Sequence, residues 1–263
     1  MLVSLLVSVA LVSTLVVNLV DADPPARPGW NLVWHDEFDG DTLNQQNWNA
    51  QDTTSPRNNE LQYYTPNHIA VQQGRLRLTS DRGAYRDRLF TSAAVDTYDK
   101  FAFTYGRIEV RARLPRMGAG IWPAVWMLGT GCHPVNGPCP WPTSGASEID
   151  IMEAVNIPTT VYGDLHYGTS IGTTESPGRL EFSTQNLSTN FHTFAMEWER
   201  GGFVRWYLDD APIGERLAPG YFDGPMYLIM NTAVGGTLPG SPTAETEFPQ
   251  HFDVDFVRVY QRA

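Results

Sequence analysis

Residues 147–153 read Ser-Glu-Ile-Asp-Ile-Met-Glu, three carboxylates with Ile149, Ile151 and Met152 between them. Acids alternating with apolar residues predict a strand with one core face and one polar face. Glu148 and Asp150 are two apart, so they point the same way. Glu153 is five from Glu148, so a regular strand would turn it to the other side. A single β-bulge between Asp150 and Glu153 restores the parity, and bulges gather beside active sites, where they re-aim a side chain. All three acids would then line one surface. Carboxylates held this close repel one another, which calls for a reason. Two carboxyls flanking a sugar bond can hydrolyse it, one as nucleophile and one as proton donor. The plainer alternative is a solvated strand face with scattered acids. Spacing alone does not assign the roles.

On the N-terminal side lies Gly120-Ile-Trp-Pro-Ala-Val-Trp-Met-Leu-Gly129. Trp122 and Trp126 are four apart and share a strand face. Tryptophan rings exposed on a sheet stack on the apolar faces of sugar rings; the alternative is a pair of core tryptophans. Trp30, Trp34, Trp48, Trp198 and Trp206 are expected in the core. On the C-terminal side His166 follows Glu153 by 13 residues. It can sit on the neighbouring strand, close enough to bond substrate or tune a carboxyl. The remaining five His show no metal-ligand spacing.

Strand signals dominate the rest. In Arg107-Ile-Glu-Val-Arg-Ala-Arg-Leu114 the odd positions are charged and the even ones apolar, the pattern of a half-buried strand. The runs 191–199 and 203–208 flank Arg200-Gly201-Gly202 and predict a hairpin. The runs 226–231 and 252–260 are rich in β-branched and aromatic residues. No stretch of about 12 residues shows a clean helical period with caps. Two packed antiparallel sheets follow, in one domain spanning residues 23–263.

Composition agrees. The chain has 263 residues, 42% of them hydrophobic and 18% charged, which suits a large core. Residues 1–20 carry no charged side chain and read as a secretory signal peptide cut near Ala22; the alternative is an uncleaved membrane anchor. The expected destination is extracellular, with no membrane attachment after cleavage. The formal net charge is −11, and removing residues 1–22, whose only charge is Asp21, leaves −10. So acidic a protein is a poor partner for nucleic acid, anionic lipid or sulfated polysaccharide. The only two cysteines, Cys132 and Cys139, bracket a turn-rich loop and are expected to form a disulfide in an exported chain. Asn186-Leu187-Ser188 is the single glycosylation sequon. Acids cluster in 36–41, with Asp253 and Asp255 near the C-terminus; such loops can bind calcium or simply be solvated. There is no Gly-x-Ser-x-Gly elbow, phosphate-cradling loop or dinucleotide fingerprint.

Six segments together carry a resemblance. Glu148-Ile-Asp-Ile-Met-Glu153 matches the E-[I/L]-D-[I/L/F]-[M/V]-E signature of family 16 glycoside hydrolases, in their laminarinase-like branch. Trp34-His-Asp-Glu-Phe-Asp-Gly40, Asn58-Asn-Glu-Leu-Gln-Tyr-Tyr-Thr65, the stretch 103–128, Asn231-Thr-Ala-Val-Gly-Gly236 and Phe252-Asp-Val-Asp-Phe-Val-Arg-Val-Tyr260 resemble other segments of that family, in the same order. The resemblance implies an all-β jelly roll (concanavalin A-like) with a concave cleft. It implies a monomer that hydrolyses internal β-1,3 bonds of laminarin-type β-glucans with retention of configuration. Glu148 would be the nucleophile, Glu153 the general acid/base and Asp150 the residue between them. The five-residue offset resembles laminarinases rather than the four-residue form of lichenases. Asn59, Trp122, Trp126 and His166 match positions that line the sugar subsites, and Arg88 follows from a less clear segment. No cofactor is implied for catalysis. A structural calcium on the convex side is implied for some members, with Glu37, Gly74 and Asp255 as candidates here. The segment Cys132–Ser144 departs from the family pattern and is expected at the cleft rim. Mixed-linkage glucan or a galactan are alternative substrates. A non-catalytic β-glucan recognition protein is the alternative of another class, and such relatives typically lack one of the acids.

Overall fold

A computed structural model describes residues 24–54, 57–133, 135 and 137–263; the expected signal peptide lies outside them. The described chain is built from β1 (Trp30–Asp36), β2 (Asn49–Ala50), β3 (Thr53–Thr54), β4 (Gln62–Tyr64), β5 (Ile69–Val71), β6 (Leu76–Tyr85), β7 (Arg88–Ser92), β8 (Ala94–Asp96) and β9 (Gly106–Arg113). It continues through β10 (Ile121–Gly129), β11 (Glu148–Glu153), β12 (Thr160–His166), β13 (Leu180–Ser183), β14 (His192–Trp198), β15 (Phe203–Leu208), β16 (Ala211–Leu217), β17 (Met226–Val234) and β18 (Gln250–Arg262). Helical backbone among the described residues is confined to two short 3-10 turns, Pro66–His68 and Gly220–Phe222.

The strands form two sheets. The larger runs β16-β15-β14-β9-β18-β6-β7-β4-β3, with β1 also on β18 and β5 on β6. The smaller runs β13-β12-β11-β10-β17-β8-β2. This is the all-β jelly-roll sandwich expected from the sequence. The pairings are antiparallel except one: β4 runs parallel to β7, where the sequence predicted antiparallel pairing throughout. The chain reaches β7 through the β5–β6 hairpin, so it returns alongside β4 in the same direction.

One core lies between the sheets. Ile149, Ile151 and Met152 of β11, with Val125 and Met127 of β10, meet Ile108 and Val110 of β9, Phe194 and Met196 of β14 and Trp206 of β15. Each such aliphatic side chain contributes about 1.5–3 kcal/mol on burial, enough to hold a strand whose other face is acidic. The charged face of β9 differs from expectation. Arg107 is 1% exposed and Glu109 4%, although the alternation predicted a solvated side. Arg107 bonds Glu109, Glu197 and Asp210 at 2.7, 3.1 and 2.8 Å and lies over the Tyr207 ring. Glu109 of the same strand, Glu197 of β14 and Asp210 in the turn after β15 supply the opposite charges that make this burial tolerable.

Candidate active site

The predicted bulge is present. On β12, Asp150 faces Asp164 and Glu153 faces Tyr162, so Ile151 and Met152 oppose the single residue Gly163. On β10, Trp126 faces Asp150 and Val125 faces Met152, which leaves Ile151 as the extra residue. Ile151 and Met152 therefore both enter the core, and Glu153 returns to the side of Glu148 and Asp150. The sequence encodes this with two consecutive apolar residues where strict alternation would place one.

A residue from the other sheet braces the bulge. Trp206 donates its indole N–H to the main-chain carbonyl of Asp150 at 2.8 Å. The approach requires glycine opposite: a Cβ on Gly163 would stand 2.6 Å from Trp206 Nε1. Trp206 is core, as expected, but its polar atom serves the site; nothing in the sequence pattern reveals this.

His166 faces Glu148 across the β11–β12 ladder. Its Nε2 lies 3.2 Å from Asp150, 3.7 Å from Asp164 and 3.8 Å from Glu148. Burial works against the imidazolium, but the hydrogen bond to Asp150 and the surrounding negative charges outweigh it and push its pKa up to about 10. Burial raises the Glu148 carboxyl, and repulsion from Asp150 raises it further; His166 and Arg57 pull it back. Asp150 is raised by burial and then by Glu153. The protonated His166 thus offsets part of the negative charge on this strand.

Glu153 is 5% exposed and engaged at both oxygens. Trp122 donates to Oε1 at 2.7 Å, and Arg179 lies 3.4 Å from Oε2. Burial raises this carboxyl, while Arg179 and Trp122 oppose the rise. Burial thus raises all three carboxyls, and a cation opposes the rise on either side: His166 at Glu148 and Asp150, Arg179 at Glu153.

A family model described as beta-glucan synthesis-associated protein SKN1/KRE6/Sbg1 matches residues 7–144. The chain is 40% identical over 255 residues to the Beta-glucanase of Rhodothermus marinus, across 89% of this chain and 86% of that one. The laminarinase catalytic domain of Thermotoga maritima shares the fold with a TM-score of 0.80 and 35% identity, over 89% of this chain and 99% of that domain. The chain belongs to the family 16 glycoside hydrolases, in their laminarinase-like branch. The chain is also 35% identical over 273 residues to Glucan endo-1,3-beta-glucosidase A1 of Niallia circulans, across 90% of this chain but 39% of that longer protein.

In this family 16 enzyme the second tryptophan is anchored through a buried chain. Trp126 donates to Asn231 at 2.8 Å, Asn231 donates to the Tyr64 hydroxyl at 3.0 Å, and that hydroxyl donates to Glu60 at 3.2 Å. The segment 58–65 thus acts as a brace for Trp126. Asn59 and Arg88 lie at its far end, Asn59 bonding Thr237 and Arg88 the Glu60 carbonyl. Neither has a described contact with the three acids, unlike Trp122 and His166.

The insert is closed by the Cys132–Cys139 disulfide. Cys132 packs with Leu128, Ala146, Tyr227 and Ile229 in a small second core, against which Cys139, Trp126 and Trp141 lie. Trp141 reaches the His166 ring at 5.9 Å. No periodicity marks Trp141 or Arg179 in the sequence; both come from irregular segments whose path depends on tertiary packing.

The calcium candidates have other partners. Glu37 is held by Arg258 in two bonds of 3.0 and 2.8 Å, Asp255 pairs with Arg111, and Gly74 turns at φ 66° beside Asp39. Guanidinium groups already neutralise both carboxylates, so as folded this set does not fit a cation site.

Proposed function

We propose that this glycoside hydrolase cleaves internal β-1,3-glucosidic bonds of laminarin-type β-glucans, with retention, using Glu148 as nucleophile and Glu153 as acid/base. The observation that carries the reading is the bulge at Ile151, which sets Glu148, Asp150 and Glu153 on one face with Trp122 bonded to Glu153. The names of the relatives support the β-1,3-glucan linkage.

In the first step Glu148 attacks the anomeric carbon and Glu153 protonates the leaving oxygen. The imidazolium of His166, held by Asp150, keeps positive charge beside Glu148 and favours its attacking, ionised form. Once Glu148 is esterified its charge is gone, and the repulsion it exerts on Glu153 falls. Glu153 then accepts a proton from water, which attacks the glycosyl ester and frees Glu148. The chemistry uses only side chains of the chain itself, so chelators should leave it intact. The apolar run 1–20 supports export.

The test is product analysis on laminarin beside lichenan and agarose, with the anomer formed first read by NMR. Laminari-oligosaccharides released as the β-anomer support the reading. First-formed α-anomer would overturn retention, and release only from agarose would overturn the substrate. Glucan binding without any release would favour the recognition-protein alternative.

A further inference from the structure

Arg179 stands at the end of the segment that leads into β13. Its guanidinium lies over the Tyr162 ring, 4.6 Å from the centroid, and Tyr162 is the ladder partner of Glu153. Its side chain is 29% exposed against 7% for Glu153. Arg179 is therefore a solvent-side cation resting on the buried carboxyl.

The two oxygens of Glu153 are not equivalent. Oε1 takes the Trp122 N–H at 2.7 Å. An indole nitrogen only donates, so a proton on Oε1 would set two donors head to head. The proton that Glu153 transfers must then sit on Oε2. Yet Oε2 faces Arg179 at 3.4 Å, and a guanidinium also only donates. The observed contact suits the carboxylate and opposes the acid. It also lies at the oxygen that a glycosidic oxygen has to approach to receive the proton.

We propose that Arg179 is a positioning residue that selects the ionised form of Glu153: an entering sugar displaces it for the first step, and it returns once the leaving sugar has gone, until water enters. In the first step the Glu148–C1 bond forms, the glycosidic C–O bond breaks, and the Oε2 proton goes to the leaving oxygen. In the second, water attacks C1, its proton goes to Oε2, and the ester bond to Glu148 breaks. Between the two steps the returned guanidinium holds Glu153 as the carboxylate, and the attacking water then takes its place at Oε2. The inference rests on the roles proposed above for Glu148 and Glu153. The groups that act on Glu153 are Glu148 and Asp150 from its own strand, Trp122 from β10, His166 from β12 and Arg179. Arg179 and His166 are the cations among them, and only Arg179 touches the carboxyl within hydrogen-bonding distance.

The experiment compares wild type with R179M, R179Q and R179K on laminarin and on 2,4-dinitrophenyl β-laminaribioside, whose leaving group needs no proton. Thermal unfolding checks each fold, and two neutral variants guard against one failing. On laminarin the alkaline limb of kcat/KM should move up by about one pH unit in R179M and R179Q, because the acid form then persists longer, and stay near wild type in R179K. On the dinitrophenyl substrate kcat/KM should stay within about twofold, while kcat falls about tenfold with a larger burst, since the base-dependent second step is slowed. An unmoved limb together with a wild-type burst in the neutral variants overturns the role of Arg179 alone. A wild type that turns over neither substrate overturns the proposed function and this inference with it.

Discussion

Trp122 donates its indole N–H to Oε1 of Glu153 at 2.7 Å. One tryptophan thus lies on the face shared with the acids and orients one of them. A hydrogen bond to a charged group is worth about 1.5–3 kcal/mol. W122F should therefore lower kcat/KM on laminarin by at least about tenfold. Because the bond lowers the Glu153 pKa, its loss should also move the alkaline limb upward. A pH profile like that of wild type would show that the indole serves only as a surface.

The bulge and Trp206 make a second prediction. W206F leaves the buried Asp150 carbonyl without its donor, at a cost of about 1–3 kcal/mol. For a domain of this size that is about 2–4 °C of Tm per kcal/mol. G163A should be worse, because the new Cβ would stand 2.6 Å from the indole nitrogen and push it off the carbonyl. In G163A kcat should fall further than stability alone explains, since the Glu153 carboxyl moves with the bulge. Calorimetry with laminarin kinetics checks both, and wild-type values in G163A would refute the brace.

Glu148 carries a stability cost that depends on pH. Burial first, and Asp150 next, push its pKa from 4.5 up to about 8. For a group raised in the folded state, the contribution to stability is whole below the unfolded value and is lost as pH rises through the folded one. Wild type should thus lose stability from this group between pH 4.5 and about 8. E148Q has no such proton to lose. It should be inactive on laminarin, match wild type near pH 4.5, and be more stable at pH 8 by on the order of 1 kcal/mol. Denaturant melts at both pH values decide it; a less stable E148Q at pH 8 would contradict the sign.

The disulfide loop offers a fourth. Cys132 and Cys139 are seven residues apart, and Trp141, just beyond Cys139, packs against His166. A ring this short stabilises by no more than about 3 kcal/mol. C132S/C139S should stay folded at room temperature, with Tm lowered by several degrees and KM raised severalfold, because Trp141 loses its fixed path. Titration with a reductant should reproduce both in wild type. An unchanged KM would place the loop outside substrate binding.

Much of this was legible in the chain. The extra apolar residue between Asp150 and Glu153 announced the bulge, and the four-residue spacing put Trp122 and Trp126 on one face. His166 was placed by simple counting along a hairpin. Alternation on β9 marked Arg107 and Glu109 as solvated, because alternation reports only that two faces differ, not whether the polar face finds partners. The pairing of Glu37 and Asp255 with arginines was equally hidden, since ion pairs join residues far apart in the chain. Trp206 is 56 residues from the carbonyl it bonds.

The local order of acids and apolar residues determined by itself that three carboxylates would share a face, because side-chain direction in a strand follows from counting and from one bulge. Which proton each of them holds was decided only by the tertiary structure. His166, Trp122 and Arg179 come from other segments, and their charges and donors act through space at distances that no sequence spacing encodes.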